Sequence, residues 1–215
     1  MVRDNSLHAL SALSLASVLA LTLAGCGETE PEPEPEGPKV EASAKGDLQW
    51  KRADALERDL AGALELGTDE LCVEVGVAPC IQEVHLVALG GHDPIDLGLY
   101  ESLDEPLTTT PIALDRVVLS ACIARASADA ELGPDAAVVF GSLDLAGEAP
   151  ASGSEAVAEL TQTLTRRLFA RDPLAEEVAL IGELTVDGEG GRVSAEDFAI
   201  LACHSLGTTS EFLMF

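Results

Sequence analysis

Apolar positions recur at helical spacing over most of the chain beyond residue 46. Ala53, Leu56, Leu60 and Leu64 share one face of a predicted helix that Asp47 caps and Gly67 stops. Leu71, Cys72 and Val75 predict a short second helix ended by Gly76 and Pro79. Ile81, Val84, His85 and Ala88 predict a third, ended by Gly90-Gly91. Residues 92–109 read as a long loop. Thr110-Pro111 then opens a helix with a hydroxyl cap and a proline in the first turn, and its stripe is Leu114, Val117, Val118, Ala121 and Cys122. The run Ala137 to Leu143 fits either a short strand or a buried turn of helix. Ser154 caps a helix with Val157, Leu160, Leu164 and Leu168 on one face. Asp172-Pro173 opens another, with Leu174, Val178, Ile181 and Leu184. Ser194 with Asp197 resembles a capping box for a last long helix, whose face is Phe198, Leu201, Ala202 and Leu206. The apolar end Phe212, Leu213, Met214 and Phe215 is expected to dock on the core. The sum is a mainly α fold, a single compact helical domain of six to seven helices over residues 47–215. At most one short extended segment is expected, near 137–143.

A different pattern precedes the domain. Leu10 to Ala24 form a short apolar run ending in small residues, the pattern of a secretory signal, and somewhat short for a permanent membrane span; a retained membrane anchor and an uncut or conventionally cut signal are the alternatives. Arg3 is followed by Asp4, so the positive charge ahead of the run comes mainly from the amino terminus. Residues 27–46 alternate Glu and Pro over much of their length. Proline lacks the amide proton and steers its predecessor away from helix, so this stretch reads as an extended tether with a rise of about 3 Å per residue. A spacer without a specific partner is one use of such a stretch; a proline-rich recognition motif is another.

Leu23-Ala24-Gly25-Cys26 resembles the lipobox of bacterial lipoproteins. The resemblance implies a signal peptide over 1–25, cleavage between Gly25 and Cys26, and lipidation of Cys26. A stretch from 26 to 46 would then link the lipid to the acidic helical domain 47–215. Two or more acyl chains give stable anchoring where one does not, and the lipoprotein type carries three. Gly27 stands where an Asp retains some lipoproteins at the inner membrane. The resemblance therefore implies the cell envelope, with the outer membrane favoured over the inner.

Charge narrows the partners. The chain has 38 Asp and Glu against 12 Lys and Arg, a formal net charge of −26. Such a surface is repelled by phosphate backbones, which argues against nucleic acid and leaves the membrane, through the lipid, and an envelope protein as expected partners. Beyond Cys26 stand Cys72, Cys80, Cys122 and Cys203. An even count in an exported domain predicts two disulfides in one of three pairings. Cys72 and Cys80 flank the Gly76/Pro79 break and can bridge locally, leaving Cys122 with Cys203; buried free thiols are the alternative.

The residues 164–178 and 198–215 are similar to the helical C-terminal module of exported proteins of unknown function that accompany c-type cytochromes. The matching positions are Leu168, Arg171, Pro173, Glu177, Glu211, Phe212 and Leu213. The resemblance implies a helical fold and envelope location, and transfers no activity. Arg171, at a helix end where a cation suits the dipole, is expected to form a structural ion pair with Glu211; two solvated charges are the alternative.

Motifs for chemistry are sparse. The sequence has no Cys-x-x-Cys-His for haem attachment. Cys72, Cys80, His85 and His92 match no tight zinc spacing. Asp187 to Phe198 starts like a calcium loop but has Arg192 where the turn glycine belongs and Phe198 in place of the bidentate Glu. Phe140-Gly141-Ser142-Leu143-Asp144 lacks the second glycine of a nucleophile elbow. No catalytic or metal-ligating set emerges and no cofactor is implied. The loop His92, Asp93, Asp96 is the best candidate for binding. The expected role is a non-enzymatic envelope accessory that binds another protein; the competing role is a hydrolase or redox accessory using that loop.

Overall fold

The computed structural model describes residues 49–214 except 97 and 104. Residues 1–25, Cys26 with the linker 26–46, Asp47 and Phe215 lie outside the described residues.

The domain is mainly α, with six α-helices, one π-helical turn and one short strand pair among the described residues. Helix α1 (Ala53–Leu64) buries Ala53, Leu56, Leu60 and Leu64 as its spacing requires. It starts after Arg52, with no side-chain cap. It ends at Glu65, which takes a left-handed conformation (φ 49°) two residues ahead of Gly67. A glycine would adopt that conformation more readily.

Residues 71–79 are not helical. Strands β1 (Val73–Glu74) and β2 (Ala78–Pro79) pair antiparallel, Val73 opposite Pro79 and Glu74 opposite Ala78, around Gly76 (φ 74°). The Cys72–Cys80 disulfide closes the hairpin, with Cα atoms 5.4 Å apart. Eight residues of helix would separate those atoms by about 12 Å, so bridge and helix exclude each other. Pro79 pairs with Val73 between two hydrogen-bonded positions, where its missing N–H is no loss. The expected third helix is likewise replaced, by a π-helical turn (Cys80–Val84) and irregular turns to Gly91. Cys80 is fixed to the hairpin, and Leu89 accepts the amide of Ala53 at 2.8 Å, so the segment is held at both ends.

Helix α2 (Thr110–Leu132) is the longest among the described residues. Pro111 sits in its first turn as the sequence indicates, but Thr110 is not its cap. The Thr110 hydroxyl donates to the Ala88 carbonyl at 2.5 Å and accepts from the Leu107 amide at 2.9 Å, tying the loop to the helix. Helices α3 (Glu155–Phe169), α4 (Ala175–Glu183), α5 (Ala195–Gly207) and α6 (Ser210–Leu213) complete the fold. Ser194 accepts the Asp197 amide at 3.0 Å and so caps α5. In α3 the buried Thr161 and Thr165 turn their hydroxyls back to Val157 and Thr161 carbonyls.

Helices α2 and α5 pack along the centre. Gly207 approaches Val118 so closely that a Cβ there would lie 2.7 Å from it, and Cys122–Cys203 joins the pair covalently. Phe140, Phe198 and Phe212 are the largest fully buried side chains of one continuous core. Leu174 and Leu201, expected on buried faces, are exposed. The run 137–143 is neither strand nor helix but a set of bends and turns that buries Val139, Phe140 and Leu143; the extended element is at 73–79. The C-terminal residues dock as their apolarity requires. Phe212 is buried, the Lys51 amide donates to the Leu213 carbonyl at 2.7 Å, and Trp50 bridges Met214.

Candidate functional site

The loop singled out by sequence is turned inward on itself. The Asp93 carboxylate accepts the amides of Ile95 (3.0 Å) and Asp96 (2.9 Å), and its carbonyl accepts Leu99 (2.9 Å). His92 is exposed beside it. Among the described residues no three His, Cys, Asp or Glu converge as metal ligands. Cys72 and Cys80, half of the imagined zinc set, are consumed by their disulfide. At 187–191, the Asp187 carboxylate accepts the amides of Glu189 and Gly191 at 2.9 and 2.8 Å, which makes a self-capped acidic turn.

Arg171 is a hub with all five donors used. It meets Glu177 through two bonds (2.9 and 2.6 Å), Glu211 through two (2.7 and 2.6 Å) and the Asp172 carbonyl at 3.0 Å. Glu177 also accepts the Leu174 amide at 2.7 Å, closing the first turn of α4. The Arg171 hydrogen bonds and that amide hold the Glu177 carboxyl down at about 2, while Arg171 lowers Glu211 and is itself raised. The cluster joins the α3–α4 corner to α6. A guanidinium with no donor left offers nothing to a substrate.

A second hub was not foreseen. Asp129 is buried on α2, and its four acceptor positions are taken. Oδ1 accepts the Val138 amide (2.8 Å) and pairs with Arg125 Nη2 (2.8 Å); Oδ2 accepts Val139 and Phe140 (both 2.9 Å). Arg125 reaches the Glu65 carbonyl at 3.3 Å, and Arg167 holds the Ala63 carbonyl, the Glu65 carboxylate and the Val138 carbonyl. These arginines satisfy the C-terminal carbonyls of α1, and explain how Glu65 ends it without a glycine. A cavity of about 320 Å³ lies beside Asp129, lined mostly by apolar groups such as Leu143 and Leu145. With its oxygens saturated, Asp129 has no lone pair free for that cavity. The signal that could have found this hub is a charge pair four residues apart on the stripe that carries Ala121 and Cys122.

The histidines serve as ties. His204 meets Asp115 at 2.9 Å across α5 and α2, and His85 meets Glu74 at 2.9 Å, where Arg116 also binds. Glu74 and Arg116 line a groove of about 350 Å³ between β1 and α2, with Val73, Val75 and Ser120. Beyond it the hairpin tip is apolar and in solvent, Val75 at 94% and Val77 at 82% exposure. No helix among the described residues is long and apolar enough to cross a membrane.

No family model matches this chain, no curated protein matches it, and no solved structure matches it. The two resemblances therefore rest on the residues quoted for them.

Proposed function

We propose that the chain is a bacterial cell-envelope lipoprotein, lipid-modified at Cys26, whose acidic helical domain binds another envelope protein and performs no chemistry of its own. The carrying observation is Leu23-Ala24-Gly25-Cys26 at the end of an apolar run, followed by a Glu-Pro stretch that keeps a domain clear of a surface. Gly27 favours the outer membrane. The non-enzymatic reading draws on how the polar groups are used: Arg171, Asp129, Asp93 and Asp187 spend their hydrogen-bonding capacity within the domain. The hydrolase or redox alternative gains no support from its loop, since the Asp93 carboxylate is committed to two backbone amides. Cys26→Ser, expressed in a Gram-negative host and labelled with tritiated palmitate, tests the anchor. The parent chain is expected to take up label and enter the detergent phase, and the variant to do neither. Equal labelling and partitioning of the two chains would overturn the reading.

A further inference from the structure

We infer that the disulfide-closed hairpin is where the domain takes its partner, and that the partner presents an extended cationic segment with alternating apolar side chains. The inference rests on the domain being protein-binding, but not on the lipid anchor.

Val73, Val75, Val77 and Val84 are all exposed within one short stretch, and Val75 and Val77 have almost no cover. Single surface valines are ordinary; three within five residues of one hairpin mark an interaction surface. Val75 has φ 55°, a left-handed conformation that a β-branched residue seldom adopts. A glycine would relax there, yet an apolar side chain is held out at the tip. The hairpin is held in place by Cys72–Cys80, by His85 and Arg116 on Glu74, and by the bond from the Cys80 amide to the Cys72 carbonyl. Apolar surface fixed in advance loses little freedom on binding.

The backbone adds direction. The Cys72 carbonyl accepts the Cys80 amide, and the Glu74 carbonyl accepts the Val77 amide, so both point towards β2. Backbone groups alternate along a strand, so those of Val73 point the other way. The groove between β1 and α2 is lined by Val73, Val75, Arg116 and Ser120 and has no residue of β2 in its wall. A strand laid there pairs with the Val73 backbone and sets alternate side chains against the valines.

Charge selects the occupant. Asp69, Glu70 and Glu83, which flank the hairpin in sequence, are exposed, and the cation beside it, Arg116, is bound to Glu74. Elsewhere Lys51, Arg58, Arg125, Arg166, Arg167 and Arg171 also hold salt bridges to carboxylates, so the domain offers few free cations against many acids. A second copy of this chain brings the same excess of negative charge to the contact. The chain's own Glu-Pro stretch brings carboxylates and prolines that cannot pair with a strand.

The test uses the full chain and a dye-labelled peptide of alternating Lys and Val, about ten residues long. Anisotropy is expected to show binding, and amide exchange to show new protection at Val73. The variant Val75→Asp with Val77→Asp, folded by circular dichroism, is expected to weaken binding at least about tenfold although it adds negative charge. Equal binding of a Lys-Gly peptide, or tighter binding by the variant, would reduce the effect to charge and overturn the proposal. Self-association of the parent chain that the variant abolishes would also overturn it, in favour of a second copy. If a cross-linked envelope partner is captured equally by parent and variant, the hairpin proposal fails while the protein-binding reading stands.

Discussion

Residues 110–214 contain five of the six α-helices, and buried side chains fix those helices to one another: Val118 against Gly207, Cys122 bonded to Cys203, Asp129 gathering three amides of the turn after α2. Residues 66–109 contain no α-helix among those described; besides their ties to α1 and α2 at Leu89, Ala88 and Glu74, they are shaped by local links: a disulfide over eight residues, a π-helical turn and an Asx turn at Asp93. In the first region the most exposed large apolar side chains, Ile112 and Leu180, reach 62% exposure. The second leaves Val75, Val77, Ile95 and Tyr100 in solvent. Helix packing makes the scaffold, and local closure shapes the hairpin that faces outward. Surface loops held by a rigid scaffold are where binding residues concentrate.

The contrast is broken most severely at the disulfides. Cys122→Ala with Cys203→Ala releases a loop of 81 residues and is expected to cost about 4–5 kcal/mol by chain entropy, whereas Cys72→Ala with Cys80→Ala is expected to cost about 2–3 kcal/mol. Urea unfolding followed by circular dichroism measures both; equal costs would erase the distinction between the regions. Next comes Asp129→Ala, which strands Arg125 and three amides in the interior. It is expected to cost about 3–5 kcal/mol and to raise amide exchange at Val138, Val139 and Phe140 first. A loss confined to the hairpin would contradict the placement of that hub in the scaffold.

Acid gives the smallest effect. Glu177 titrates at about 2 in the folded chain against an ordinary value of 4.5, and Glu211 is lowered as well. The folded state then binds fewer protons than the unfolded one, so the contribution is complete above pH 4.5 and is lost as pH falls towards 2. Both groups lie near the surface and solvent screens them, so the slope is shallow. Glu177→Gln is expected to flatten it, as read from urea midpoints between pH 2 and 5. An unchanged slope would show that the Arg171 cluster carries no pH-linked stability.

How far the sequence could be read follows the same division. Helices α2, α3 and α5 announce themselves through period, Pro111 and the Ser194–Asp197 cap, because their stability comes from one face each against a shared core. The hairpin does not, because Leu71, Cys72 and Val75 satisfy helical spacing as well as Val73, Val75 and Val77 satisfy alternation. What decides between them is a covalent link that spacing alone leaves as one of three pairings. The Asp129 hub is hidden for a related reason: its partner amides belong to a turn whose own sequence looks merely apolar. Of the loop 92–96, composition shows exposure and charge but not that Asp93 is occupied by its own backbone.

The antiparallel contact between Trp50 and Met214 has a mechanical consequence. Any pull reaching Gln49 from upstream loads that clasp, the Lys51–Leu213 bond and the Lys51 ammonium over the Phe212 ring before it reaches α1. The indole packs tightly on Gly90, where a Cβ would lie 2.7 Å from the ring, and it is the chain's single tryptophan. Its fluorescence is therefore a built-in gauge of the first yielding under tension, silent about the rest of the globule until the clasp has gone.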